Sequence, residues 1–213
     1  PPMRLSLPVS CLLPIVAPFL ALLPTLAAAE PEYYRVSGVA YNDTLNIRAA
    51  PDGDSADIGD LSYDAQAIEV MEIDPSGRWG KIIYFEGNGW IAMRFLELDP
   101  VPRIAPTTLP VGLVCGGTEP FWDVRYTADT AIFHAMSTES ETIPLQSAGP
   151  ALGRRGFPAL LTHAGPDGFT YSLIRPQICS DGMSDRDYPW AIDYILGDGT
   201  YLEGCCSLPL DDM

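Results

Sequence analysis

Basic side chains are scarce in this chain: 12 Lys and Arg stand against 28 Asp and Glu, a formal net charge of −16. Binding to nucleic acid or to an anionic lipid surface requires phosphate to be neutralised by Lys or Arg, so the charge balance excludes both as principal partners. Histidine is rarer still, with only His134 and His163, and no C-x-x-C occurs; nothing is spaced to converge on a zinc ion. The signatures G-x-S-x-G and H-E-x-x-H are missing, as is a glycine-rich phosphate loop. No metal, no cofactor and no catalytic residue is expected. Also missing is any long apolar period of 3.6 residues, which argues against amphipathic helices. What is present in quantity is apolar: 47% hydrophobic residues, with ten tyrosines and four tryptophans, far too much for a disordered acidic tail.

One long apolar run, Leu5 to Leu26, follows Arg4 and closes on Ala27, Ala28 and Ala29 before Glu30. A single positive charge, an apolar stretch and a small-residue cleavage site read as a secretory signal peptide over 1–29. Pro8, Pro14, Pro18 and Pro24 interrupt the run and no basic stop-transfer cluster follows, so a membrane anchor is disfavoured. Cys11 precedes most of the apolar stretch, where a lipidation cysteine would follow it. The expected location is periplasmic or secreted, without an anchor after cleavage. There the four remaining cysteines, Cys115, Cys179, Cys205 and Cys206, read as disulfides. Of three possible pairings the vicinal one is awkward, because successive side chains on a strand point to opposite faces. A bridge from Cys115 to the Cys205/Cys206 pair would tie the last strand to the first, worth roughly 4 kcal/mol on chain-entropy grounds.

Four prolines, Pro100, Pro102, Pro106 and Pro110, mark 99–110 as an extended, semi-rigid linker between a first domain, 30–98, and a second, 111–213. Both halves show short runs rich in Val, Ile, Tyr, Phe and Trp, punctuated by Gly, Asp, Asn and Pro. Strands are expected near 34–40, 45–48, 67–73, 79–85 and 89–92. In the second half three hairpins are expected: 121–127 with 130–136, 158–163 with 169–178, and 190–196 with 201–205. The predicted fold class is therefore all-β: a small N-terminal barrel, then a second antiparallel β-barrel or sandwich stabilised by disulfides.

In the first half, Leu45-Asn46-Ile47-Arg48-Ala49-Ala50-Pro51, Ile58-Gly59-Asp60-Leu61, Gly77-Arg78-Trp79-Gly80-Lys81-Ile82 and Gly89-Trp90-Ile91-Ala92 occur in an order and spacing that resembles bacterial SH3 domains. The resemblance implies an SH3-like barrel and a binding role, with a cell-wall peptide or an envelope protein as partner. Tyr41, Asn42, Asn46, Arg48, Tyr63 and Tyr84 are the candidate ligand contacts, since such a groove uses aromatic faces and a few hydrogen-bonding groups. Trp79 and Trp90 read as barrel core or rim, and Asn46 and Arg48 could equally pair with a neighbouring turn. Asp52, Asp54 and Asp57 form an acidic loop, but a calcium loop wants glycine and glutamate where Asp57 and Tyr63 stand, so it reads as a solvated turn.

In the second half, Cys115-Gly116-Gly117-Thr118-Glu119-Pro120-Phe121-Trp122, Cys179-Ser180-Asp181-Gly182-Met183-Ser184-Asp185 and Gly204-Cys205-Cys206 resemble a family of bacterial envelope proteins of unknown function. That resemblance carries no activity with it. Were Glu119, Asp181 and Asp185 to converge near Trp122, they would form an acidic, aromatic-lined cleft suited to glycosidic hydrolysis. The simpler account gives Asp181 and Ser184 turn and capping bonds, and Trp122 a place in the core. The expected function is that of an exported, non-catalytic binding protein. Its alternatives are an inhibitor of a basic lytic enzyme, favoured by electrostatic steering, and a hydrolase using Glu119 with Asp181 or Asp185.

Overall fold

The computed structural model describes residues 30–136 and 139–210; the expected signal segment 1–29 lies outside the described residues. The chain is all-β, as its short apolar runs between turn residues predict. Its first half runs β1 (Glu32–Val36), β2 (Thr44–Arg48), β3 (Asp57–Ser62), β4 (Ile68–Val70), β5 (Glu72–Ile73), β6 (Trp79–Tyr84), β7 (Gly87–Ala92), a 3₁₀ turn (Met93–Phe95) and β8 (Leu96–Leu98). These form two antiparallel sheets, ordered β4-β1-β8 and β3-β2-β7-β6-β5, around one apolar core that includes Leu45, Ile47, Leu61, Ile68, Ile82 and Ile91. Strand alternation decides which side chains enter it: in β2, Leu45 and Ile47 are buried while Asn46 faces out. Gly89 is required where β7 crosses β2, since a Cβ there would lie 2.3 Å from Ile47 Cγ2.

The second half runs β9 (Val114–Thr118), β10 (Phe121–Tyr126), β11 (Thr130–Ala135), β12 (Glu141–Pro150), β13 (Ala159–Gly165), β14 (Gly168–Cys179), β15 (Tyr188–Ile195) and β16 (Tyr201–Ser207). All three expected hairpins are present, and the eight strands close into a barrel because β16 pairs with β9. Its interior holds Trp122, Val124, Tyr126, Phe133, Ile143, Leu161, Ile174, Trp190, Ile192 and Tyr194. The barrel, rather than a sandwich, removes every free edge of that sheet.

The linker expectation needs correction. Residues 99–110 do not run as an extended spacer: Arg103 bridges to Pro110, the Ile104 N–H donates to the Leu109 carbonyl at 2.9 Å, and the Val111 N–H to the Pro102 carbonyl at 2.9 Å. Ile104 and Leu109 are fully buried in the core of the second barrel. The apolar side chains between the prolines gain more by burial than a solvated spacer would, and proline's fixed φ serves a folded-back turn as readily as an extended chain.

Candidate functional site

The six candidates of the first half, Tyr41, Asn42, Asn46, Arg48, Tyr63 and Tyr84, line none of the clefts described below. Tyr41, 82% exposed, and Asn42 sit in the turn before β2, where the Asp43 N–H bonds back to the Ala40 carbonyl. Asn46 and Arg48 are occupied locally. The Asn46 side chain donates to Asp57; Arg48 donates to the Ser55 carbonyl at 3.1 Å and lies 3.8 Å from the Asp57 carboxylate. Tyr63 is exposed at the end of β3. Tyr84 lies flat over Gly59, where a Cβ would collide with its hydroxyl, and meets Phe85 edge-on at 4.5 Å.

A cleft of about 640 Å³ opens elsewhere on this half, between the turn 51–53, the β5–β6 turn and the 3₁₀ turn. Trp79 forms part of its wall; Arg78, Arg94 and Asp52 supply its charge. The sequence marks Trp79 only as core or rim, and Arg78 and Arg94 are chemically silent in it. Asp74 holds the wall in place. Its carboxylate accepts the backbone N–H groups of Ser76 (3.0 Å), Arg78 (2.9 Å) and Trp79 (2.8 Å). Bonds from the Ser76 hydroxyl and from these amides hold its pKa at about 2. The Arg94 guanidinium lies over the Phe95 ring at 4.7 Å, which orients it without satisfying its donors.

In the second half the glycine and cysteine motifs turn out to be the seam of the barrel. Along β9, Cys115 and Gly117 point inward; along β16, Gly204 and Cys206 do the same. The Trp122 indole fills the space they leave, stacked on Tyr194 at 5.3 Å. A Cβ on Gly117 would sit 2.5 Å from Trp122 Nε1, and one on Gly204 2.3 Å from the Gly116 carbonyl oxygen. Cys206 lies opposite Cys115 and bonds to it, while its neighbour Cys205 points outward to Cys179. Alternation thus sends the two adjacent cysteines to different partners. Two disulfides fit an oxidising environment outside the cytoplasm.

The four residues considered for hydrolysis converge only in part. Glu119 and Asp181 line one cleft of about 340 Å³ on the outer barrel wall, with Arg175, Asp193 and Glu203. Trp122, 5% exposed, belongs mainly to the barrel interior but also lines, with Asp181, a second cleft of about 430 Å³. Asp185 leaves for the first barrel, its N–H donating to the Glu86 carbonyl at 2.9 Å. The Asp181 carboxylate is fully engaged by the Met183 N–H (2.9 Å), the Ser184 N–H (2.8 Å), the Ser184 hydroxyl (2.9 Å) and the Tyr188 hydroxyl (3.0 Å). Burial alone would raise its pKa, but these bonds outweigh it and hold the group at about 2, so it has no proton to donate at neutral pH. Among the described residues no group of three His, Cys, Asp or Glu is placed to hold a metal ion.

The motif that carries Asp181 and Asp185 instead docks the closed barrel onto the two sheets of the first half. Arg186 donates to the Phe85 carbonyl and lies 3.3 Å from Glu86; the Asp187 N–H donates to Asn88 Oδ1 at 2.8 Å, and Lys81 Nζ reaches the Asp187 carboxylate at 2.5 Å. At the heart of the junction Glu69 accepts from the Tyr33 hydroxyl (2.8 Å), Trp190 Nε1 (2.9 Å) and the Leu208 N–H (2.9 Å). Burial raises Glu69 to about 7, even though these donors and Arg103 pull the other way. Beside it a largely apolar cleft of about 430 Å³ is lined by Ile83 and Phe85 from the first barrel and by Gly116, Tyr188 and Leu210 from the second.

Compared with protein-family models and with curated proteins, the chain matches none.

Proposed function

We propose that this chain is an exported, non-catalytic binding protein of the bacterial cell envelope, and that its first barrel, the half resembling bacterial SH3 domains, holds a carboxylate-bearing cell-wall peptide in the Trp79 cleft. One observation carries this reading: in a chain with 12 basic against 28 acidic residues, Arg78 and Arg94 both line the same cleft of about 640 Å³ beside an indole. An indole face offers area for an extended peptide, and two guanidinium groups offer charge-assisted bonds to a carboxylate. Asp52, on the opposite lip, is placed to accept from a peptide N–H or an ammonium group. The hydrolase reading loses support because Asp181 is committed to its own turn.

The test is co-sedimentation of the mature chain with purified peptidoglycan sacculi, followed by calorimetry with soluble stem peptides. Wild type is expected to bind, more weakly as salt rises. Replacing Arg78 and Arg94 together by Ala should weaken binding at least about tenfold, since a charged hydrogen bond contributes roughly 1.5–3 kcal/mol. Equal sedimentation of wild type and the double variant would refute the assignment and turn the search to envelope proteins.

A further inference from the structure

Strands of the closed barrel send alternate side chains outward, and on one wall those side chains are apolar. Tyr171 of β14 lies opposite Ile195 of β15, which lies opposite Tyr201 of β16, so one row crosses three strands. Phe169 precedes Tyr171 on the same face of β14, and Leu173 follows it, opposite Leu160 of β13. Leu160, Phe169, Tyr171, Ile195 and Tyr201 are each 38–54% exposed. Register leaves them no inward alternative, because the intervening Thr170, Ser172 and Tyr194 are buried. A contiguous apolar patch of this kind marks a place of contact with another molecule.

The border of the patch is acidic. Asp167 lies in the β13–β14 turn near Phe169, Asp198 lies in the β15–β16 turn near Tyr201, and both are exposed. These two turns press together: a Cβ on Gly197 would lie 2.9 Å from the Asp167 carbonyl carbon and from the Gly168 nitrogen. In the next row Asp193 stands opposite Glu203. The Tyr201 hydroxyl lies 2.7 Å from Asp193 Oδ1 and 2.9 Å from Glu203 Oε1, which fixes the ring on the face. Arg175 is the only Lys or Arg in β13 to β16, and it is spent on Asp193 and, at 3.1 Å, on Gln177 Oε1. Past Glu203 the wall runs into the cleft of about 340 Å³, whose lining includes Glu119 and Glu203 and no cation besides Arg175.

Charge decides what can cover this wall. A second copy would set acidic border against acidic border in a chain of net charge −16, and an anionic lipid surface is repelled for the same reason. Sugar rings stack on continuous aromatic faces, whereas Ile195 separates the two tyrosines here. Protein interfaces have the anatomy seen: aromatic and aliphatic side chains at the centre, charge at the rim.

We propose that this wall of the closed barrel is a docking surface for a basic protein, one that presents apolar side chains ringed by Lys or Arg and places one of those cations in the Glu119–Glu203 cleft. The apolar row supplies the buried centre, and the carboxylates steer the encounter and reject acidic proteins. This contact is separate from the peptide cleft at Trp79.

The experiment is a nuclear magnetic resonance titration of the mature chain with two disulfide-closed β-hairpin peptides. Both carry an apolar face of Trp and Val; one is rimmed by Lys and Arg, the other by Glu. The amides of 160–164, 169–173, 193–195 and 201–203 are followed. Saturable shifts confined to those segments are expected with the basic hairpin only, weakening as salt rises. Replacing Tyr171 and Tyr201 together by Ser should weaken binding at least about tenfold, and Glu119→Gln with Glu203→Gln should weaken it as well. Tyr41→Ser, exposed elsewhere, and Arg78→Ala with Arg94→Ala should leave it unchanged. All these side chains are at the surface, so the variants keep the fold, as unshifted core resonances will report. In cells, a photo-crosslinking amino acid in place of Phe169 should join the chain to a protein of net positive charge. No saturable shifts, an equal response to the acidic hairpin, or unchanged affinity in the Tyr171→Ser, Tyr201→Ser variant would each overturn the proposal. So would crosslinks to a second copy alone, or peptide-free glycan strands that shift the same amides.

Discussion

Two buried residues, Glu69 and His163, make opposite contributions to stability between mildly acidic and neutral pH. Glu69 moves from 4.5 to about 7 on folding. Between those values the folded chain holds more protons than the unfolded one, so this contribution is present at low pH and fades as pH rises, by up to about 3 kcal/mol. His163 moves from 6.5 down to about 4. Across that window the unfolded chain holds more protons, so stability grows with pH by a similar amount. The two slopes oppose each other between pH 4.5 and 6.5. Asp74 and Asp181, both held near 2, act only below this range. Denaturant midpoints of wild type should thus be nearly level there, those of Glu69→Gln should climb with pH, and those of His163→Gln should drop. Parallel pH profiles for all three proteins would contradict the assignment of these shifts.

At the level of elements, the seam between β9 and β16 concentrates the requirements on sequence. Glycine at 117 and 204 makes room for Trp122, and the Cys115–Cys206 bridge locks a closure spanning 91 residues. On chain-entropy grounds that bridge is worth roughly 4–5 kcal/mol, against roughly 3–4 for Cys179–Cys205 with its separation of 26. Replacing Cys115 and Cys206 by Ser should therefore lower the thermal midpoint more than replacing Cys179 and Cys205, as calorimetry of the two double variants will show. The hairpins of this barrel were legible because each pairs two apolar-rich runs across a Gly or Asp turn. Strands β3, β9 and β12 were not, for local reasons. Only Leu61 is buried in β3, β9 carries two glycines, and β12 contains Pro144 and Pro150. Strands β9 and β12 exist because barrel neighbours on both sides supply their hydrogen bonds, and β3, at a sheet edge, is held by β2 alone; in none of them do the residues themselves favour extension.

For the whole molecule, the decisive feature is that a two-sheet half and a closed barrel, with separate cores, share a polar junction built around Glu69 and Asp187. Lys81 and Asp187 are 18% and 41% exposed, so their pairing is partly screened by solvent. Replacing Asp187 and Asn88 together by Ala should cost about 1–2 kcal/mol of docking. The expected signs are faster proteolytic cleavage within 99–110 and a larger radius of gyration by small-angle scattering, with near-ultraviolet dichroism of the cores retained. Unaltered cleavage and size would mean that burial of the 99–110 segment alone holds the halves together.

The order of residues along the chain determined the all-β class and the three hairpins, because alternation of apolar side chains and turn residues acts over a few positions. The cysteine count pointed to disulfides for the same local reason. Only the tertiary structure decided which cysteines meet, that Trp122 enters the barrel, that the proline-rich segment folds back and that Asp181 serves a docking loop. It also gathered Arg78 and Arg94 beside Trp79. Such groupings join residues far apart in sequence, and strand register and barrel closure, which no local pattern encodes, set their distances.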